Sequence, residues 1–412
     1  MPFFLRRKNL RIVNVFLLIT LLFTGTATAK GMPGPEAGNA DQLVGLLGSK
    51  DGQVKSQAMY ALVKLGKDAV PALLASLGKR EDLEEVIFVL NSIKDERAAG
   101  PLAGLLDIND PETLGKVKSA LFSLGHVSMP YLFDAMKDAG RREAASETLA
   151  SMRDPEYFDR LRKLLGDRDP SVRRYAALVE KSWLDRGARA EMGVLLKDGF
   201  AETRRDASAY FLGISPDFDT PGLKNLLKDP DAGVRITAIK ITIKDRYPGA
   251  FGEVAGILSA DPDAKARKLA TEALFRCYRD RAAGPLTAAL KDRDDSVASA
   301  AAGWLGVMKA KEAVPDIVAL LKRGKKPSDE VVESVARSLG EIGKGYDPDV
   351  LLPYINWENL YVVRSVLNAW EAAARPEDAG IKEALSNYLA MQVDVRYKDR
   401  AKVLLQRLSQ AK

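Results

Sequence analysis

The chain has one cysteine, Cys277, and one histidine, His126, among its 412 residues. One cysteine forms no internal disulfide and no cysteine cluster, and one histidine excludes a metal site built on two. The nucleotide-binding patterns G-x-x-x-x-G-K-[ST] and G-x-G-x-x-G are missing, as are H-E-x-x-H, C-x-x-C and G-x-S-x-G. Acidic turns such as Asp292 to Asp295 carry carboxylates without the loop grammar of a calcium site. Strand-like alternation persists nowhere, so the expectation is an all-α protein. No cofactor and no catalytic residue can be named from these patterns.

Charge of one sign is also scarce once the first 29 residues are set apart. Arg6, Arg7, Lys8 and Arg11 precede an apolar run from Ile12 to Phe23, and Ala27-Thr28-Ala29 follows. That order is the one found in a secretory signal peptide, and the run is short for a transmembrane helix. Residues 1–29 are therefore expected to be removed, residues 30–40 to form a flexible linker, and residues 41–412 to form the folded body. The periplasm is the expected compartment, with secretion or an uncleaved inner-membrane anchor as alternatives. Membrane contact is expected only through such a leader. Taking its four basic residues from the 62 of the chain leaves 58 against 56 acidic ones. A nearly neutral chain with interspersed signs makes no electrostatic case for nucleic acid.

What is present is a repeat. A small or apolar residue recurs at Ala58, Val89, Ala120, Ala145, Ala176, Ala207, Ala238, Ala270, Ala301, Ala336, Leu367 and Ala401, mostly 31 residues apart. A fixed period in this range marks a solenoid. Within one unit, Leu223, Leu226 and Leu227 share one helical face, and Val234, Ala238 and Ile241 share another, across the turn Asp229-Pro230-Asp231. Each unit therefore reads as two helices of about 10–13 residues joined by an acidic turn. Prolines at Pro71, Pro101, Pro130, Pro155, Pro221, Pro285, Pro315 and Pro353 are placed to start first helices. An aspartate stands seven residues before many anchors, at Asp51, Asp138, Asp169, Asp231, Asp263, Asp294, Asp329 and Asp394. A basic residue often follows four later, as at Lys55, Arg173, Arg235, Arg267 and Lys398, within reach on a helix face.

The stretches Asp169 to Ala177, Asp229 to Ala238 and Asp261 to Ala270 carry a resemblance to HEAT-like repeats of the phycobilisome-lyase type. The Leu-Gly pairs at 65–66, 124–125, 212–213, 305–306 and 339–340 fit it too. The resemblance covers residues 41 to 407 and implies an α-solenoid of about twelve two-helix repeats. It also implies that the turn aspartates and following arginines form a structural ladder between neighbouring repeats, here Asp169, Arg173, Asp231, Arg235, Asp263 and Arg267. Helical-repeat hydroxylases bind iron through several His-Glu pairs. His126 is single and precedes Val127, so that activity is not expected.

Three departures from the repeat are candidate sites. The interval from Ala120 to Ala145 is 25 residues and contains His126, expected in a turn. Arg323, Lys325 and Lys326 make a basic loop that could meet an acidic partner. Tyr354, Trp357, Tyr361 and Trp370 cluster where Trp357 replaces the usual proline. They read either as a contact patch or as padding for the end of the array. Cys277 follows an apolar stretch and is expected as a buried thiol. The expected function is a non-catalytic protein-binding scaffold of the bacterial cell envelope, monomeric, taking a protein or peptide along a concave helical face. The alternative is a lyase or chaperone-like subunit assisting prosthetic-group attachment.

Overall fold

The computed structural model describes residues 40–214, 222–323, 326–391 and 395–410. The leader, residues 30–39, Pro221, Lys325 and Asp394 lie outside the described residues. The chain divides into two compact units, one ending at Met152 and one starting at Arg153. Among the described residues there is no strand, and each unit is a run of helix pairs. Four pairs fall in the first unit and eight in the second, twelve in all. The fold is an all-α solenoid.

The second helix of each pair carries the anchor. All twelve anchors, from Ala58 to Ala401, are fully buried. A small residue there lets the neighbouring helix approach, and within each unit consecutive second helices pack against one another. The two helices of a pair differ in length more than the sequence suggests. Most second helices have 14 residues, as in Pro170–Trp183, Ala232–Asp245 and Asp295–Met308. First helices are shorter, down to the 4 residues of Leu223–Leu226.

Capping explains where second helices start. The side chains of Asp51, Asp110, Asp169, Asp231, Asp263 and Asp294 accept hydrogen bonds from backbone N–H groups two or three residues on. Each satisfies donors that the first turn leaves without a partner. Ser328 and Asn359 do the same in two later repeats, so Asp329 lies one residue inside its helix and is not the cap. The short interval is redistributed by this register. Asp110 caps the helix that holds Ala120, and seven residues on stands Val117, also fully buried. Counted through Val117, the spacings from Val89 and to Ala145 are both 28 residues. The deficit is thus shared between two repeats, and part of it falls on the helix Arg142–Ala150, with only 9 residues.

Two other expectations are corrected. Pro285 sits inside the helix Arg279–Ala289, and Pro353 inside the 3-10 stretch Pro348–Tyr354, so neither starts a helix. Of the five Leu-Gly pairs, those at Gly66, Gly125 and Gly213 end helices, and only Gly66 and Gly125 do so with a positive φ, 60° in each. Gly306 serves helix packing instead. A Cβ there would lie 2.6 Å from Ser338 Cα on the next second helix.

Candidate functional site

The arginine ladder is built from one rule repeated four times. Four residues after each cap stand Arg173, Arg204, Arg235 and Arg267. Each guanidinium crosses to an aspartate two residues before the next repeat's cap. Arg173 Nε donates to Asp198 at 2.9 Å, Arg204 to Asp229 at 2.7 Å, Arg235 to Asp261 at 2.6 Å and Arg267 to Asp292 at 2.7 Å. The last three are bidentate, through Nη2. Each Nη1 also donates to the carbonyl oxygen two residues before its own cap: Asp167, Asp198, Asp229 and Asp261. The acceptor aspartates then receive the cap N–H, as from Asp231 to Asp229 and from Asp263 to Asp261. Burial alone would push the Asp261 carboxyl up, but the bonds from Arg235 and the Asp263 N–H outweigh it and hold it low.

This geometry corrects the pairing suggested by spacing. Arg235 bonds Asp261 rather than Asp231, four residues before it. Asp231 caps its helix and accepts from Arg205 at 2.7 Å, which holds its carboxyl down at about 2. Asp169 and Asp263 cap their helices in the same way. The ladder stops after Asp292, because the arginine position becomes Ala298, Val332 and Val363, all buried. The acceptor position becomes Lys326 and Trp357.

Those two replacements meet each other. Lys326 Nζ lies 4.5 Å from the centre of the Trp357 ring. Trp357 Nε1 donates to Asp329 Oδ1 at 2.6 Å, and Asn359 Nδ2 donates to Asp329 Oδ2 at 2.8 Å. Tyr354 tilts against Trp357 with ring centres 5.3 Å apart. The four aromatics do not form one patch. Trp370 has no exposed surface and donates to the Pro348 carbonyl at 3.0 Å, and Tyr354 is buried too. Trp370 stands three residues after the anchor Leu367 and so faces inward with it. Trp357 is half-buried, and Tyr361 is 60% exposed with Arg364 over its ring. Arg323 is tied back to the preceding turn, donating to the Asp292 carbonyl at 2.6 Å. His126 lies in the short 3-10 helix Gly125–Ser128, directly after the end of the helix Pro111–Leu124. Cys277 is half-buried, with Sγ 3.4 Å from the Thr242 carbonyl, and burial pushes its thiol up.

Within the second unit, the second helices also present an exposed row. Its members include Lys240 and Lys244, then Lys265, Lys268 and Arg276, then Ala300 and Gly303, then Glu330 and Arg337. Lys268 Nζ reaches Glu330 Oε1 at 3.2 Å, stepping over the intervening second helix Asp295–Met308. Beside this row, the ends of helices Ala232–Asp245 and Ala264–Cys277 enclose a pocket of about 510 Å³. Ile243, Lys244, Arg246, Phe275, Arg276 and Arg279 line it. Phe275 stacks on Trp304 with centres 4.5 Å apart. The sequence reading missed this site. Its signal is the period itself, which places Lys244 beside Arg276, 32 residues on.

Comparison with known proteins agrees with this architecture. Residues 282–370 match the family described as HEAT repeats, and residues 141–167 match the PBS lyase HEAT-like repeat. The chain carries HEAT-like repeats. No curated protein matches it. Among solved structures, a chain from the one in which Kap95p binding induces the switch loops of RanGDP to adopt the GTP-bound conformation aligns with TM-score 0.57 and 13% identity. That alignment covers 91% of this chain and 61% of the other. A chain of the Kap95:Nup1 complex aligns with the same score and identity, over 91% and 62%. This chain thus spans under two thirds of those two. At such identity the likeness is one of fold, which the HEAT-like repeats share.

Proposed function

We propose that the protein is a non-catalytic scaffold that binds a protein or peptide along the exposed row of its second helices, the face expected to be concave. The observation that carries this is the register. Every anchor is sealed inside, and on the second unit the solvent-facing residues of the second helices change in charge, basic on two helices and carrying Glu330, Glu333 and Glu341 on a later one. Repeat arrays serve binding because such a surface grows with the number of repeats. The solved Kap95p structures are of complexes with RanGDP and with Nup1, which is in keeping with a protein partner here.

The order of basic residues, apolar run and Ala27-Thr28-Ala29 supports an exported protein of a bacterial envelope, with its mature start near Lys30. Crosslinking in the native envelope, followed by pull-down and mass spectrometry, tests the scaffold reading. A specific protein partner is the expected result. Recovery of the chain without a partner, or with a bound chromophore, would overturn it and favour the prosthetic-group alternative. N-terminal sequencing of the same material tests export, and an intact Met1 in the cytosolic fraction would refute it.

A further inference from the structure

We propose that the pocket of Lys244, Arg246, Arg276 and Arg279 docks an acidic peptide segment of the partner, its carboxylates on the guanidinium groups and an apolar side chain on Phe275. This deepens the scaffold reading and rests on it.

Lys244, Arg246 and Arg276 come from the C-terminal ends of two consecutive second helices and Arg279 from the first residue of the helix Arg279–Ala289, and they are not equally committed. Lys244 donates to the Leu212 carbonyl at 2.6 Å and to the Ile214 carbonyl, so it closes the end of the preceding second helix. Arg276 pairs with Glu272 at 2.7 Å. The guanidinium groups of Arg246 and Arg279 have neither a hydrogen bond nor an ion pair among the described residues. Both are exposed, Arg279 lies 5.2 Å from the Phe275 ring centre, and Arg246 holds a left-handed backbone at φ 48°. The ladder guanidiniums of Arg204, Arg235 and Arg267 are bidentate to carboxylates, whereas these two meet none among the described residues.

The surroundings select the occupant. Lys240 and Lys265 are exposed on the same two helices and also lack an acidic partner among the described residues, so the pocket opens onto a basic row. Phe275, half-buried and backed by Trp304, offers an apolar floor that an inorganic anion would not use. Carboxylates spread along a chain, reached by long arginines, suit both conditions.

The test uses the full-length protein and a fluorescently labelled synthetic peptide of glutamates around one phenylalanine, read by anisotropy. The expected result is salt-sensitive binding, weakened about tenfold or more by R246E with R279E. R246K with R279K should lie between, and a serine in place of the peptide's phenylalanine should also weaken binding. Melting curves confirm that the exposed variants fold, and R246Q with R279Q replaces any that does not. Unchanged affinity in the charge-reversed protein overturns the proposal. Binding of inorganic tripolyphosphate in place of the peptide overturns it as well. The envelope pull-down separates the two readings: a partner captured equally by wild type and R246E with R279E removes the pocket and leaves the scaffold, whereas capture by neither removes the scaffold.

Discussion

Within the second unit, the repeats from Pro170 to Asp294 and those from Asp295 to Ala373 close the same helix pairs in different ways. In the first group an arginine, half-buried at Arg173 and Arg204 and buried at Arg235 and Arg267, reaches across every joint to an aspartate, and Nε donates in all four. In the second group the arginine position is Ala298, Val332 or Val363, and the helices come together through small residues. Gly306 lies against Ser338 and Gly340 against Ala369, while Ser338 Oγ donates to the Ala302 carbonyl at 2.8 Å. A directional ion pair fixes register whatever packs around it. Close apolar contact is strong only while the shapes match. The same backbone grammar thus accepts either a polar lock or a fitted surface.

The fitted region should be the more sensitive to lost volume. Trp370→Ala removes a side chain with no exposed surface and should cost about 3–5 kcal/mol in chemical denaturation. A cost under about 1 kcal/mol would show that this region tolerates cavities and that the contrast is false.

The ladder should respond to imbalance rather than to volume. Arg235→Ala leaves Asp261 buried without its partner and should cost about 3 kcal/mol. Replacing both, as Arg235→Met with Asp261→Leu, should recover most of that loss, because an apolar pair of similar size avoids the desolvation cost. If the double variant is no better than the single one, the rung contributes more than mutual neutralisation, and its carbonyl contacts would then be the place to look.

How much of this was legible differs between the two regions. The period showed through the anchors because a crowded helix contact needs a small residue, whatever else changes. It slipped at Ala120 because the residue in register, Val117, is larger than alanine. The ladder's existence followed from family resemblance, but spacing pointed to the wrong partner. Within a helix, Asp231 and Arg235 are neighbours, and only the stacking of repeats brings Asp261 nearer. The clue was present in Asp198, Asp229, Asp261 and Asp292, each two residues before a cap. Trp370 was grouped with Trp357 by sequence proximity, although its offset from Leu367 places it on the buried face. The basic pocket was invisible because its members are a full repeat apart.

One buried carboxyl in the ladder region accepts no hydrogen bond from an arginine. Glu180 is fully buried, accepts the Asp185 N–H at 2.8 Å, and has its second oxygen without a hydrogen-bond partner. Burial pushes its carboxyl up from an ordinary 4.5 to about 7. The raised value means that the fold prefers the protonated form. Stability from this group is full below 4.5, falls as pH rises toward 7, and stays low above that. The loss should be about 2–3 kcal/mol, and Glu180→Gln should abolish it while keeping the bond to Asp185. Thermal melts at pH 5 and pH 8 check this, and an equal pH response in wild type and variant would refute it.

The smallest expected effect lies where the two regions' rules meet. Trp357 occupies the position of a ladder aspartate, yet it donates to Asp329 and carries Lys326 on its ring. Trp357→Phe keeps the ring for Lys326 and Tyr354 and loses only the indole N–H bond. The partner is a charged carboxylate, but the bond is exposed, so the loss should be about 1 kcal/mol. The Asp329 carboxyl, held low by Trp357 and Asn359, should rise in the variant, and titration followed by NMR would detect that rise. Trp357→Ala separates structure from contact. If the tryptophan only locks the turn, the alanine variant melts lower and captures the partner as wild type does. If its exposed face also meets the partner, capture weakens in Trp357→Ala and survives in Trp357→Phe, since the phenyl ring keeps most of the contact area.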